Sequence, residues 1–210
     1  KEKRIKNGKE IEVVGKDLDH FRFTSDNEAA VAAFRQAYGD APKELFVYLP
    51  YPDIERSFPT WIEMYAGKKL VHRCDGETKV FWRDDQGTHT EPAACELAAN
   101  PPREHKPIGR LYVILPKLWQ AGFVGLVVLK TTSKYDIVRI NSVLAMVLER
   151  KPVKLGGLTN IPFALRRVLR TISRPGDGGN RIPIDKYMVE LEPPKEFVDM
   201  LTQAMPAAHG

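Results

Sequence analysis

The chain is 210 residues long, 43% hydrophobic and 28% charged, a size and balance that fit one domain with a buried core and room for an inserted module. Its two cysteines are too few for a disulfide scaffold of the secreted type, and no apolar run approaches the roughly 18 residues needed to cross a bilayer. The net charge of +5 and the pI near 9.1 are mild, so nucleic-acid binding has to be argued from where the cations lie.

Cations cluster first at Lys1, Lys3, Arg4, Lys6 and Lys9, in an opening with charge but no apolar segment after it, which reads as the solvated tail of a cytoplasmic protein. Ser25 followed by Glu28 has the spacing of a capping box and predicts a helix over 26–38, closed by Gly39. Leu45 to Leu49 is an apolar run bounded by prolines and predicts a strand. Trp61, Ile62, Met64 and Tyr65 ahead of Gly67 predict one or two helical turns. Residues 69–73 and 78–82 predict a strand pair around Asp75-Gly76.

In the second half, Leu111 to Leu115 and Gly125 to Thr131 predict strands. A helix over 134–150 follows, with Ser133 as its cap, Asp136 in its first turn and Ile137, Ile140, Leu144 and Val147 as its apolar stripe; Pro152 stops it. Residues 161–174 and 181–191 predict a long hairpin across the glycine-rich segment 175–180, and a last helix follows Pro193-Pro194. The order β-β-α-β-β-α points to an α+β fold, an antiparallel sheet covered by helices, with a ferredoxin-like or RNA-recognition-like sheet as one form. The reading is one domain over 1–210, with an inserted module at 72–107 and a C-terminal sheet portion at 108–205.

The segment 72–107 holds both cysteines and three of the five histidines. Convergence of Cys74, Cys95 and His105 on one Zn²⁺ would give so long a connection a reason to be ordered. His89 and His72 compete for the fourth position; His89 is favoured because it lies on a loop, and His72 is set aside as projecting from the other strand face than Cys74. Four protein ligands would make the site structural, with no open position for an activated water. The bland alternatives are surface histidines and a Cys74–Cys95 disulfide, and the tight C-x2-C knuckles of a zinc ribbon are missing.

A second candidate surface lies near the C-terminus, where Arg166, Arg167, Arg170, Arg174, Arg181 and Lys186 stand against only Asp177 and Asp185. On a strand, Arg166, Arg170 and Arg174 share one face at intervals of about 13 Å, a spacing that can track a phosphate backbone. The competing reading is a solvated hairpin face whose arginines pair with acidic neighbours. Catalytic residues are not assigned. Cys95 has no base fixed beside it, Asp84-Asp85 is an ordinary loop end, and neither glycine-rich segment carries the Lys-Ser/Thr ending of a phosphate loop.

Several phrases occur together and in order: Asp19-His20-Phe21-Arg22-Phe23-Thr24-Ser25, Ala37-Tyr38-Gly39, Trp61 ahead of Arg73-Cys74-Asp75-Gly76, Lys106-Pro107 before Arg110-Leu111, Gly156-Gly157 before Ile161-Pro162-Phe163, Leu165-Arg166-Arg167-Val168 and Leu191-Glu192-Pro193. As a set they resemble the phage recombination directionality factors that partner serine integrases, over most of the chain from Arg4 to Val198. The resemblance implies a protein with no active site of its own that binds a serine integrase in the bacterial host cell and biases it from integration toward excision. It also implies metal binding in some members. Cys74 matches the first cysteine of the family pattern, while His105 stands where a cysteine is usual, an exchange that zinc chemistry tolerates. The alternative is a nucleic-acid-binding subunit, for single-stranded DNA or RNA and of the kind reused in CRISPR effectors, that works through the arginine-rich hairpin.

Overall fold

A computed structural model describes the backbone of residues 2–6, 9–13, 18–96, 105–150, 156–176 and 180–203, and the side chains of 18–96, 105–150, 156–173, 176 and 180–199. The side chains of the N-terminal lysine cluster and of Arg174 and the turn at 177–179 lie outside the described residues; the backbone of that cluster, over 2–6 and 9–13, forms an antiparallel strand pair and not a tail. In chain order the elements are β1 (Glu2–Lys6), β2 (Lys9–Val13), α1 (Glu28–Tyr38), β3 (Glu44–Val47), α2 (Ile54–Ser57), β4 (Thr60–Ala66), β5 (Lys69–Cys74), β6 (Thr78–Asp84), β7 (Gly87–His89), β8 (Ala93–Ala94), β9 (Lys106–Val113), α3 (Pro116–Gln120), β10 (Val127–Thr131), α4 (Lys134–Arg150), β11 (Phe163–Pro175), β12 (Arg181–Glu192) and α5 (Lys195–Gln203). The fold is α+β with antiparallel pairing throughout the seven-stranded sheet.

Where the sequence reads as one body with a module at 72–107, the chain divides into two compact units, 1–45 with 165–190 and 46–164 with 191–210. Residues 72–107 begin inside β5 and end inside β9, both strands of one sheet whose order is β10-β9-β4-β5-β6-β7, with β8 added to β6. Strands β11 and β12 belong to a different sheet, ordered β12-β11-β3. The β-β-α-β-β-α succession therefore does not close into one ferredoxin-like or RNA-recognition-like sheet.

In the first unit, α1 starts two residues later than the capping-box spacing implies. Asn27 is its cap, its side-chain oxygen accepting from the Ala29 and Ala30 amides at 3.0 and 3.3 Å, while the Ser25 hydroxyl accepts from the Asn27 amide. Its buried residues are Ala30 and Phe34, and Phe34 stacks on Phe23 with ring centroids 4.9 Å apart.

In the second unit, α4 matches its predicted span, with Ile137, Ile140, Leu144 and Val147 buried at the 3–4 spacing of one helix face. Ile137 comes down on Gly109 of β9, where an added Cβ would meet Phe58 at 2.6 Å and Ile137 at 3.1 Å; only a residue without a side chain lets helix and strand approach so closely. The Gly156-Gly157 pair has a similar cause, since Gly157 has φ +53° and lies against the Pro52 carbonyl, which accepts from the Leu158 amide at 3.0 Å. Trp61 to Tyr65 form a strand and not helical turns. Trp61, Glu63 and Tyr65 project from one face and Ile62 and Met64 from the other, and Gly67, at φ +63°, turns the chain into β5. The connection after β9 contains the short helix α3, with Pro116 in its first turn.

Candidate metal centre

Strand β5 presents His72 and Cys74 to the same side, because residues two apart on a strand share a face. This reverses the preference between the two histidines. Cys74 ends β5 just before a turn in which the Asp75 carboxylate accepts from the Glu77 and Thr78 amides at 2.8 and 2.7 Å. The same turn starts β6, and β8 adds to β6 through the pairs Thr78–Ala94 and Lys79–Ala93. The Cys95 amide then donates to the Glu77 carbonyl at 2.7 Å, which fixes Cys95 beside Cys74. Both cysteines are buried free thiols, so no disulfide joins them.

The result is a cluster in which the ligand atoms of His72, Cys74 and Cys95 all lie within 4.8 Å of one another. The Cys95 sulfur is 3.6 Å from Nε2 of His72. His105, immediately ahead of β9, approaches from the other side of β4: the register pairs Met64 with His72 and Glu63 with Lys106. Its ring stands edge-on to that of His72, centroids 5.1 Å apart. Both ring nitrogens of His105 are buried without a hydrogen-bond partner, and they are the only such side-chain atoms among the described residues. An imidazole stripped of water and given nothing in return is costly; a metal ion that reached it from the neighbouring cluster would satisfy it.

Electrostatics agree with that chemistry. Burial first, then the charges of His105 and Lys79, holds the His72 pKa below its ordinary value, so its ring is the neutral form that a metal needs. Burial, reinforced by a hydrogen bond with Cys95, pushes the Cys74 thiol up to about 11, and a bound cation would release that proton. The thiols of Cys74 and Cys95 and the imidazole of His72 are three donors of the type that zinc takes, and the His105 ring beside His72 is a candidate fourth. The cluster could hold a metal.

His89 lies elsewhere in its contacts. Its ring stacks on Trp82 at 4.9 Å, and its nitrogens face Asp84 at 3.0 Å and Glu91 at 3.4 Å. Its pKa is raised, chiefly by the hydrogen bond with Asp84.

The arginine hairpin is largely engaged within its own unit. Arg166 pairs with Glu44, and Arg167 donates to the Leu18 carbonyl at 3.0 and 2.7 Å. Arg170 forms a fork on Glu190 at 2.9 and 3.2 Å, and Arg181 bonds Ser173 through both its hydroxyl and its carbonyl. Lys186 is half-buried on β12.

One polar cluster escaped the sequence. Glu63, fully buried, accepts from Arg73 at 2.7 Å, from Arg110 at 2.9 and 2.7 Å and from the Tyr65 hydroxyl at 2.8 Å. Burial alone would raise its pKa, but the hydrogen bonds from Arg110 and Tyr65 and the charges of Arg73 and Arg110 outweigh it and leave the carboxyl below its usual range. A separate pocket of about 610 Å³ is lined by Tyr48, Leu49, Pro50, Ile114, Trp119 and Asn160 among others; its lining offers no carboxylate, imidazole or thiol. Among the described residues no helix is long and apolar enough to cross a membrane.

A family model described as Gp3-like, recombination directionality factor-like, matches residues 2–194. No curated protein and no solved structure gives a significant match.

Proposed function

Because the chain belongs to the recombination directionality factor-like (Gp3-like) family, we propose that it is a non-enzymatic regulator that binds a serine integrase in the cytoplasm of a bacterial host and turns it toward excision. The observation that carries this reading is the extent of the match, residues 2–194, which takes in most of both compact units. The side-chain chemistry is in keeping with it. The one group of three or more metal-ligating side chains among the described residues is His72, Cys74 and Cys95; His105 stands outside that mutual distance, its ring against that of His72, and as fourth ligand it would close the set. Such a set suits a structural Zn²⁺ and leaves no position for substrate or activated water. Binding and not turnover is then the function, with the ion tying β5, β8 and the start of β9 together.

Nucleic-acid binding through the hairpin has less support. Guanidinium groups that already hold Glu44, Glu190 and main-chain carbonyls have fewer donors to offer a phosphate.

The test is recombination in vitro between attL and attR sites by a candidate serine integrase. Adding the purified protein should produce attP and attB products and should suppress the reverse reaction. Unchanged product on both substrate pairs, with the integrase active on attP and attB, would contradict the proposal.

A further inference from the structure

Strands β10, β9, β4 and β5 share a second face, opposite to the one that carries Gly109 and the cysteines, and its chemistry is cationic. Alternation puts Lys106, Ile108 and Arg110 of β9 on it with Trp61, Glu63 and Tyr65 of β4, Arg73 of β5 and Val128 and Lys130 of β10. The register confirms the rows: Glu63 pairs with Lys106 on one side and Arg73 on the other, and Lys130 pairs with Arg110. Toward the β4–β5 turn this face holds a pocket of about 480 Å³ whose lining includes Tyr65, Ile108, Glu63, Lys68, Lys106 and Lys130. Glu63 is the only acidic side chain in that lining, and it is consumed by Arg73 and Arg110.

We infer that this face docks an acidic segment of a protein partner, with one apolar or aromatic side chain entering the pocket between Lys68, Lys106 and Lys130. The inference rests on the integrase reading above and names the surface through which that reading would operate. Charge complementarity carries it, because five cations surround one carboxylate that is already paired. Polypeptide is favoured over nucleic acid by how the donors are used. A phosphate backbone is best gripped by arginine forks, whereas both forks here are turned onto Glu63, with Arg110 also reaching the Tyr65 hydroxyl at 3.2 Å. What remains is three lysine ammonium groups around a floor of Ile108 and the Tyr65 ring, itself 39% exposed and with the Lys130 ammonium 5.7 Å from its centroid, and Val128, 47% exposed, lies two residues from Lys130. Lysine point charges around an apolar floor suit carboxylates flanking a buried side chain.

The experiment measures affinity of the full chain for the serine integrase used in the recombination test, for wild type and for the triple variant Lys68→Gln/Lys106→Gln/Lys130→Gln, at low and moderate salt. The expected result is binding at least roughly tenfold weaker in the variant, with a flatter salt dependence and an unchanged melting temperature. Equal affinity of the two folded proteins would overturn the inference while leaving the integrase reading intact. A wild-type chain that forms no complex would overturn both. Fluorescent duplex and single-stranded oligonucleotides form the second arm: binding by wild type alone, lost in the triple variant, would make this a nucleic-acid surface and overturn the inference. If the variant does not fold, lysine acetylation of wild type decides instead. Lys68, Lys106 and Lys130 should be modified several-fold more slowly in the complex than free, and equal rates would overturn the inference.

Discussion

The cysteine-histidine cluster on β5, β8 and the approach to β9 and the arginine hairpin of β11 and β12 are equally conspicuous in the sequence, and they differ in one physical respect. The hairpin's described arginines satisfy themselves at home, on Glu44, Leu18, Glu190 and Ser173. The cluster does not, since His105 keeps two buried nitrogens without a hydrogen-bond partner beside the His72 ring. Charge density alone marks neither a site nor a scaffold. A buried polar group whose bonding capacity is unfilled marks a place where something else belongs.

The largest effect that would break this contrast comes from the cluster. If it holds the proposed Zn²⁺, chelation or Cys95→Ala should lower stability by several kcal/mol, a fall in Tm of roughly 10 °C or more for a chain of this size. His105→Ala should do nearly the same, and His89→Ala should leave metal content unchanged. Calorimetry with and without chelator, on the four proteins, checks the order; a chelator-insensitive wild type would erase the contrast.

Next comes Glu63, which sits at 0% exposure between two guanidinium groups. Glu63→Gln leaves Arg73 and Arg110 without their counter-charge and should cost about 3–5 kcal/mol. The sign of the pH dependence follows from its lowered pKa: its contribution is complete above the ordinary carboxyl value of 4.5 and is lost as pH falls through the depressed folded value. Acid unfolding monitored by circular dichroism should therefore lose part of its steepness in the variant.

A smaller effect separates scaffold from site in the hairpin. Arg170→Gln takes the fork off Glu190, whose side chain is only 4% exposed, and should destabilise by about 1–3 kcal/mol. Urea unfolding measures it, and integrase affinity of the folded fraction should not move. A variant of full stability that had lost a binding activity would turn the hairpin into a site after all.

The smallest effect is at His89. Its pKa is raised by Asp84, so the contribution of the pair is present below the ordinary imidazole value of 6.5 and is lost as pH rises through the raised folded value. An NMR titration should place the His89 midpoint above that of an unstructured histidine, and Asp84→Asn should bring it down. The melting temperature should barely respond, since the pair is solvent-exposed.

Legibility in the sequence followed how local each determinant is. Helix α4 could be read in full because its cap at Ser133, its apolar stripe and its proline stop all lie within twenty or so residues of one another. The Trp61 to Tyr65 segment could not be read as a strand, because both of its faces carry large apolar residues and the period is ambiguous over so short a run. Its one diagnostic residue, Glu63, is explained by partners 10 and 47 residues away. Cys74, Cys95 and His105 were visible as candidate ligands from residue type and proximity. Strand alternation already puts His72 and Cys74, two residues apart, on one face, so setting His72 aside was an error within the sequence reading; only the stack of His89 on Trp82 and its bond to Asp84 needed the structure. Arg166 looked available because Glu44 stands 122 residues earlier.

The proposed structural Zn²⁺ on Cys74, Cys95, His72 and His105 separates a metal centre from a catalytic site or a cationic ribbon. Elemental analysis joined to zinc-edge X-ray absorption on the full chain tests it most directly. The expected result is one zinc per chain held by two sulfurs and two nitrogens, retained in His89→Ala and lost in Cys95→Ala. A folded wild-type protein without stoichiometric metal, or with a shell that contains oxygen from water, would contradict it.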